Sequence, residues 1–120
     1  MRKGAANPVV GEDVLVKDVL LKITEARAGA ASVVNRAKKL SGIFTDGDLR
    51  RHLEKDTYLV QRRVRDVMTK NPVTISKDRL ASEALRILKE KRIDELPVVD
   101  ICGRPMGMLD VQDLLKAGLV

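Results

Sequence analysis

Hydrophobic spacing along the first half of the chain changes three times. A short apolar pair, Val9-Val10, follows Asn7-Pro8 and reads as an extended piece. Val16, Val19, Leu20 and Ile23 then recur at intervals of three and four, the signature of one buried helical face. Two compact apolar runs follow, Ala31 to Val34 and Leu40 to Thr45, each of strand length. Gly47 to Glu54 returns to a mostly charged, helix-like mixture. The predicted order is β-α-β-β-α.

The second half repeats it. Gly42, Asp48 and Leu49 recur as Gly107, Asp113 and Leu114, a shift of 65 that also carries Val33-Val34 onto Val98-Val99, Asp13 onto Asp78 and Leu15 onto Leu80. Asn7-Pro8-Val9 returns as Asn71-Pro72-Val73 at a shift of 64. The second set of elements is an extended piece at Val73-Thr74-Ile75, a helix with Ala81, Ala84, Leu85 and Leu88 inward, strands at Leu96 to Val99 and Met106 to Asp110, and a helix from Val111 to Ala117. Asp100 to Pro105, with Gly103 and Pro105, is the turn between the strands. Asp13 and Asp78 are placed to cap the longer helices. The expected division is 1–55, a connector over 56–66, and 67–120. Leu59, Val60 and Val64 predict an ordered connector. A unit of about 55 residues buries its apolar face poorly alone. The expected fold is therefore mixed α/β (α+β): two β-α-β-β-α units packed about a pseudo-twofold axis, with equivalent loops on either side of a shared cleft.

Composition narrows the chemistry. Aromatic residues make up 2% of the chain, so the core must be aliphatic, and Phe44 and Tyr58 alone are available to stack on bases. The net charge of +6 is shared evenly between the halves, which leaves no basic tail. Nucleic-acid binding thus has charge behind it but no stacking chemistry, and the same excess suits a phosphorylated small ligand. No run approaches the roughly 20 apolar residues of a membrane span. The single cysteine, Cys102, cannot form an internal disulfide, which fits a reducing cytoplasm.

The most informative stretch is Gly42-Ile43-Phe44-Thr45-Asp46-Gly47-Asp48. Thr45 ends a strand and opens a helix, where free N–H groups and a partial positive charge favour an anion. Gly47 leaves the backbone approachable, and Asp48 projects one turn on, where its carboxylate suits a ribose diol. Together they would hold the two ends of a ribosyl phosphate. Thr-x-x-Asp is also the pattern of a capping box, and both roles can coexist. Asp46-Gly47-Asp48 lacks the further oxygen ligands a calcium loop needs. His52 lies among charged helix residues with no catalytic partner, and Cys102 has no neighbouring histidine in sequence. Met68, Met106 and Met108 read as core or cleft packing, and Arg62-Arg63-x-Arg65 as a solvated face.

Val67-Met68-Thr69-Lys70-Asn71-Pro72-Val73-Thr74-Ile75, Leu96-Pro97-Val98-Val99-Asp100 and Gly107 to Asp113 resemble a CBS domain, and the first half repeats the pattern. Gly42 to Arg51 and the ending Asp113 to Val120 are similar to the C-terminal CBS pair of bacterial arabinose-5-phosphate isomerases. The resemblance implies a non-catalytic regulatory module that binds a nucleotide or nucleotide-sugar, either an adenine nucleotide (AMP or ATP) or CMP-Kdo, on behalf of an attached sugar-isomerase domain. It implies ligand contact by Thr45 at phosphate and Asp48 at ribose, with Asp46 beside them and Val10, Ser32 and Ile43 around the base. A weaker site would use Asp113, Thr74, Pro97 and Met108, with phosphate disfavoured because Asp110 stands where a hydroxyl would face it. Lys39, Arg50 and Arg104 are candidate cleft cations. A homodimer is expected, with no nucleic-acid or membrane partner and no metal. The alternative is a purely structural dimerisation module without ligand. Met1-Arg2-Lys3 stands where Met68-Thr69-Lys70 does, from which the chain is expected to be an excised fragment.

Overall fold

The computed structural model describes residues 1–79 and 81–118. Leu80, the repeat counterpart of Leu15, and the end of the family-like tail at 119–120 lie outside the described residues. The first unit comprises β1 (Val9–Gly11), α1 (Val16–Ala26), β2 (Ala30–Val34), β3 (Leu40–Thr45) and α2 (Asp46–Leu53). After β4 (Thr69–Lys70) the second follows: β5 (Ile75–Ser76), α3 (Ala81–Lys91), β6 (Glu95–Val99), β7 (Pro105–Asp110) and α4 (Val111–Lys116).

The repeat holds down to the register. In each unit the first strand runs parallel to the second, which pairs antiparallel with the third. Ser32 faces Ile43 as Pro97 faces Met108, and a bulge interrupts the pairing at Val33/Val34 and again at Val98/Val99. Left-handed backbone recurs too: Arg27 (φ 52°) ends α1 as Arg92 (φ 54°) follows α3, and Lys38 (φ 66°) turns the first hairpin where Gly103 (φ 82°) turns the second.

The free edge of each hairpin is covered by chain leading into the other unit. Thr69 and Lys70 pair antiparallel with Ile43 and Gly42 of β3, giving a sheet in the order β1-β2-β3-β4. Arg2 makes the matching bridge to Met108 of β7. A methyl on Gly107 would lie 2.6 Å from Met1 Sδ, and one on Gly42 would collide with the Met68 thioether, so both glycines are needed for a methionine to cross them. Val67 to Lys70, placed with the second unit on sequence, therefore join the sheet and core of the first. Hairpin edges demand a partner strand, and the nearest one is the neighbouring unit's lead-in.

The first core gathers Val10, Val16, Val19, Ile23, Ala31, Val33 and Phe44 with Leu59, Val64 and Val67 from the connector region. The second is smaller: Ile75, Ala84, Leu88, Leu96, Val98 and Leu114. Ala30, Ile43 and Met108 form a third cluster that joins the two sheets. Burial of each large aliphatic side chain contributes about 1.5–3 kcal/mol.

The connector is ordered, as expected, though Val60 is exposed. It also replaces an expected cap. Asp13 does not cap α1; the helix starts after Leu15 with no side-chain cap, and the Val16 amide donates to the Arg62 carbonyl at 2.9 Å. The Asp13 carboxylate instead accepts from Arg65 at 2.6 Å, while Arg63 donates to the Asp13 carbonyl at 2.8 Å and Arg62 pairs with Asp56 at 2.9 Å. The arginine run thus fastens the connector to the loop before α1.

Candidate functional site

Thr45 stands at the N-cap of α2 because its extended backbone ends β3 while its hydroxyl accepts the Asp48 amide at 3.1 Å. Asp48 returns the bond: its Oδ2 accepts from the Thr45 amide at 3.0 Å and the Thr45 hydroxyl at 3.2 Å. Its Oδ1 accepts from the Thr69 hydroxyl at 2.9 Å and from Arg51. Asp48 is 2% exposed. The capping box inferred from spacing is real, and the carboxylate is fully engaged by protein donors.

Beside it opens a cavity of about 540 Å³ between the units. One wall is the start of α2, with Thr45, Asp46, Gly47, Arg50 and Arg51. Ile43 and Pro97 form its apolar floor, and Thr69, Asn71, Pro72 and Val73 its rim. The far wall is Arg92 to Glu95 with Asp110 and Gln112. Three carboxylates converge over Gly29, whose missing side chain admits them. A methyl there would lie 3.1 Å from Glu95 Oε1, 3.5 Å from Asp110 Oδ2 and 3.9 Å from Asp46 Oδ2. Burial, reinforced by Asp110, Asp94, Asp46 and Asp48, pushes the Glu95 carboxyl up to about 7. Burial also raises Asp110, which caps α4 by accepting the Gln112 amide at 2.8 Å.

The structure brings together Ile43, Thr45 and Asp46 from the expected first site and Pro97 from the expected second, in one cavity. Val10 and Ser32 do not join it: Val10 packs in the first core, and Ser32, the register counterpart of Pro97, is fully buried. The reason is the crossing of the two hairpins. The cavity takes β3 and the start of α2 from the first unit but its second-strand residue, Pro97, from the other unit, so Ser32 on β2 falls away from it. Met108 is buried against Ala30 and Ile43, Thr74 is exposed outside the cavity, and Asp113 is paired with Arg2 at 3.0 Å. Of the proposed cations, Arg50 lines the cavity; Arg104 pairs with Asp100 at 2.9 Å and Lys39 is exposed outside it. Arg51, Arg92 and Glu95 were missed, and for Glu95 the available signal was its position opposite Asp110 in the predicted hairpin. Among the described residues no cluster of side chains suits a metal ion, and no helix is long and apolar enough to cross a membrane.

A doubled β-α-β-β-α unit with a cavity across its junction defines a class of paired α/β modules. The family model for the CBS domain matches residues 1–55 and 64–120, and the chain belongs to that family. It is 38% identical over all 120 residues to arabinose 5-phosphate isomerase KdsD of Pseudomonas aeruginosa, and 39% identical over 119 residues to KdsD of Francisella tularensis. The chain spans 37% and 36% of the length of those relatives. Among solved structures it superposes on a CBS-domain-containing protein of Agrobacterium tumefaciens with a TM-score of 0.83 at 27% identity, covering 96% of this chain and 91% of that one. It superposes on CBSX2 in complex with AMP with a TM-score of 0.81 at 28% identity, covering 99% and 92%.

Proposed function

We propose that the chain is a regulatory module that binds an adenine nucleotide or a nucleotide-linked sugar such as CMP-Kdo in the cavity between its units, and passes its occupancy to a sugar-phosphate isomerase domain. The observation that carries this reading is the cavity itself. It is large enough for a nucleoside monophosphate and combines a helix start at Thr45 and Gly47, an apolar floor at Ile43 and Pro97, and guanidinium groups at Arg50 and Arg92. The AMP complex of CBSX2 supports the adenine class, and the KdsD relatives support the isomerase context. Ligand would act by differential binding: it touches both units and favours the arrangement in which both walls reach it.

One observation favours a second reading, a purely structural dimerisation module. Asp48, the residue expected to grip ribose, already has all its hydrogen bonds from Thr45, Thr69 and Arg51. Homodimer formation fits either reading, since Leu21, Leu53 and Leu115 are exposed on α1, α2 and α4. A thermal-shift series with AMP, ATP and CMP-Kdo separates the two. At least one of them raises the melting temperature if the cavity is a sensor, by mass action. If none does, and light scattering still finds a dimer that Leu53→Glu or Leu115→Glu disrupts, the structural reading stands.

A further inference from the structure

Thr69, Asn71 and Pro97 of the cavity have pseudo-twofold counterparts, Arg2, Asn7 and Ser32, that do not line it, and among these the chemistry differs. Thr69 crosses Ile43 and donates its hydroxyl to Asp48 at 2.9 Å. Its counterpart crossing Met108 is Arg2, with reciprocal backbone bonds of 2.9 and 3.1 Å. The Arg2 guanidinium spends four contacts on this second side. Nε donates to Asp113 Oδ2 at 3.0 Å, Nη2 to the Arg27 carbonyl at 3.0 Å, and Nη1 to the carbonyls of Ala26 at 3.2 Å and Ala6 at 3.4 Å. Asp113 is the repeat counterpart of Asp48. Arg2 therefore ties the segment before β1 to the end of α1, through the Ala26 and Arg27 carbonyls, and to α4 of the second unit, through the Asp113 carboxylate, the position at which the resemblance implies ribose contact.

Two further polar groups on this side are left over. Ser32 Oγ and Asn7 Oδ1 are buried and have no hydrogen-bond partner. Ser32 is the register counterpart of Pro97, and Asn7 the sequence counterpart of Asn71, and both counterparts line the first cavity. Ser32 shares the face of β2 that carries Ala30, opposite Ile43 and towards Met108. A buried hydroxyl and a buried amide oxygen without partners are groups that a polar ligand on this side would satisfy.

We propose that Arg2 is a built-in occupant of the second cleft, standing in for a ribonucleoside at Asp113, so that the chain takes ligand on one side only until Arg2 is withdrawn. This rests on the reading of the pair as a ribonucleoside-binding module. The ligand class that fits the opened cleft is a ribonucleoside without a 5′-phosphate: the diol has Asp113, the base has Ser32, Asn7 and Met108, and the start of α4 beside Asp113 carries the carboxylate of Asp110, which caps that helix and also lines the first cavity, in place of a hydroxyl. A ligand that claims Asp113 takes the acceptor of Arg2 Nε, and one that displaces the guanidinium also frees the Ala26 and Arg27 carbonyls, so occupancy of this side is transmitted to the segment before β1.

Titration calorimetry with adenosine tests it, using the 120-residue chain, Arg2→Thr and Arg2→Thr/Asp113→Ala, with circular dichroism to confirm folding and Arg2→Gln in reserve if the threonine variant melts. Arg2→Thr, which copies Thr69, is expected to bind one more equivalent per chain than the unaltered protein, and the added equivalent is expected to vanish with Asp113→Ala. An unaltered chain that binds nothing beside a variant that binds one equivalent upholds the Arg2 proposal while removing the first-cavity reading. Equal stoichiometry in both proteins, including none in either, overturns it.

Discussion

Thr45 and Asp48 hold each other reciprocally across the first turn of α2: amide to hydroxyl at 3.1 Å one way, amide to carboxylate at 3.0 Å the other. The same carboxylate reaches Thr69 on the strand that covers β3, so it joins a helix cap to a sheet edge. Asp48→Ala leaves the Thr45 amide and the Thr69 hydroxyl without their acceptor. It is expected to cost about 1–3 kcal/mol in chemical denaturation and to remove any nucleotide-induced rise in melting temperature. Asp48→Asn, which keeps an acceptor, is expected to cost less in stability while still losing the charge that a diol would meet.

Glu95 makes the fold sensitive to pH. Its carboxyl titrates near 7 in the folded chain against an ordinary value of 4.5. The folded state therefore holds a proton that the unfolded state releases. Stability is unaffected below about pH 4.5, declines as pH rises towards 7, and carries the full penalty above it. Glu95→Gln removes that penalty. The melting temperature of the variant is expected to exceed that of the unaltered chain by a margin that opens between pH 4.5 and 7 and then levels off. A constant margin across that range would show that neither burial nor the carboxylates of Asp110, Asp94, Asp46 and Asp48 raise Glu95 in the folded chain.

Gly42 and Gly107 are equivalent, yet alanine is expected to act differently at each. At Gly42 the methyl meets only the flexible Met68 side chain, whereas at Gly107 it also meets the Arg2 carbonyl at 2.7 Å. Gly107→Ala is expected to loosen the bridge of Arg2 to β7, seen as faster hydrogen exchange at the Arg2 and Met108 amides. Gly42→Ala is expected to shift Met68 and leave the exchange of the Thr69–Lys70 segment nearer its original rate.

Lys38 adopts a left-handed backbone, φ 66°, at the place that Gly103 fills in the second hairpin. Lys38→Gly relieves the side-chain clash at a small cost in unfolded-state entropy. It is expected to stabilise the chain by a few tenths to about 1 kcal/mol, read as a higher denaturation midpoint.

Strand β3 and the order of elements were legible in sequence because local spacing and a 65-residue repeat encode them directly. The capping of α2 was legible for the same reason, since Thr45 and Asp48 are three residues apart. What stayed hidden depends on contacts far along the chain. Nothing near Asp13 shows that the Arg62 carbonyl will satisfy α1 instead. Nothing near Ser32 shows that the floor under Thr45 will be Pro97 from the other unit. Arg2, one residue from the start of the chain, gives no local sign of reaching Asp113.

The pairing of Thr69–Lys70 with one hairpin and of Arg2 with the other means that the two halves wear each other's hems. A chain cut before Thr69 would present the outer edge of β3 bare, with unsatisfied amides and carbonyls ready to recruit any extended segment. Two such pieces would mend that edge by borrowing a strand from one another, or, failing to close, would string into fibres. Duplication within a single chain supplies both hems at a fixed, high local concentration, and so guards against aggregation as well as building a cavity.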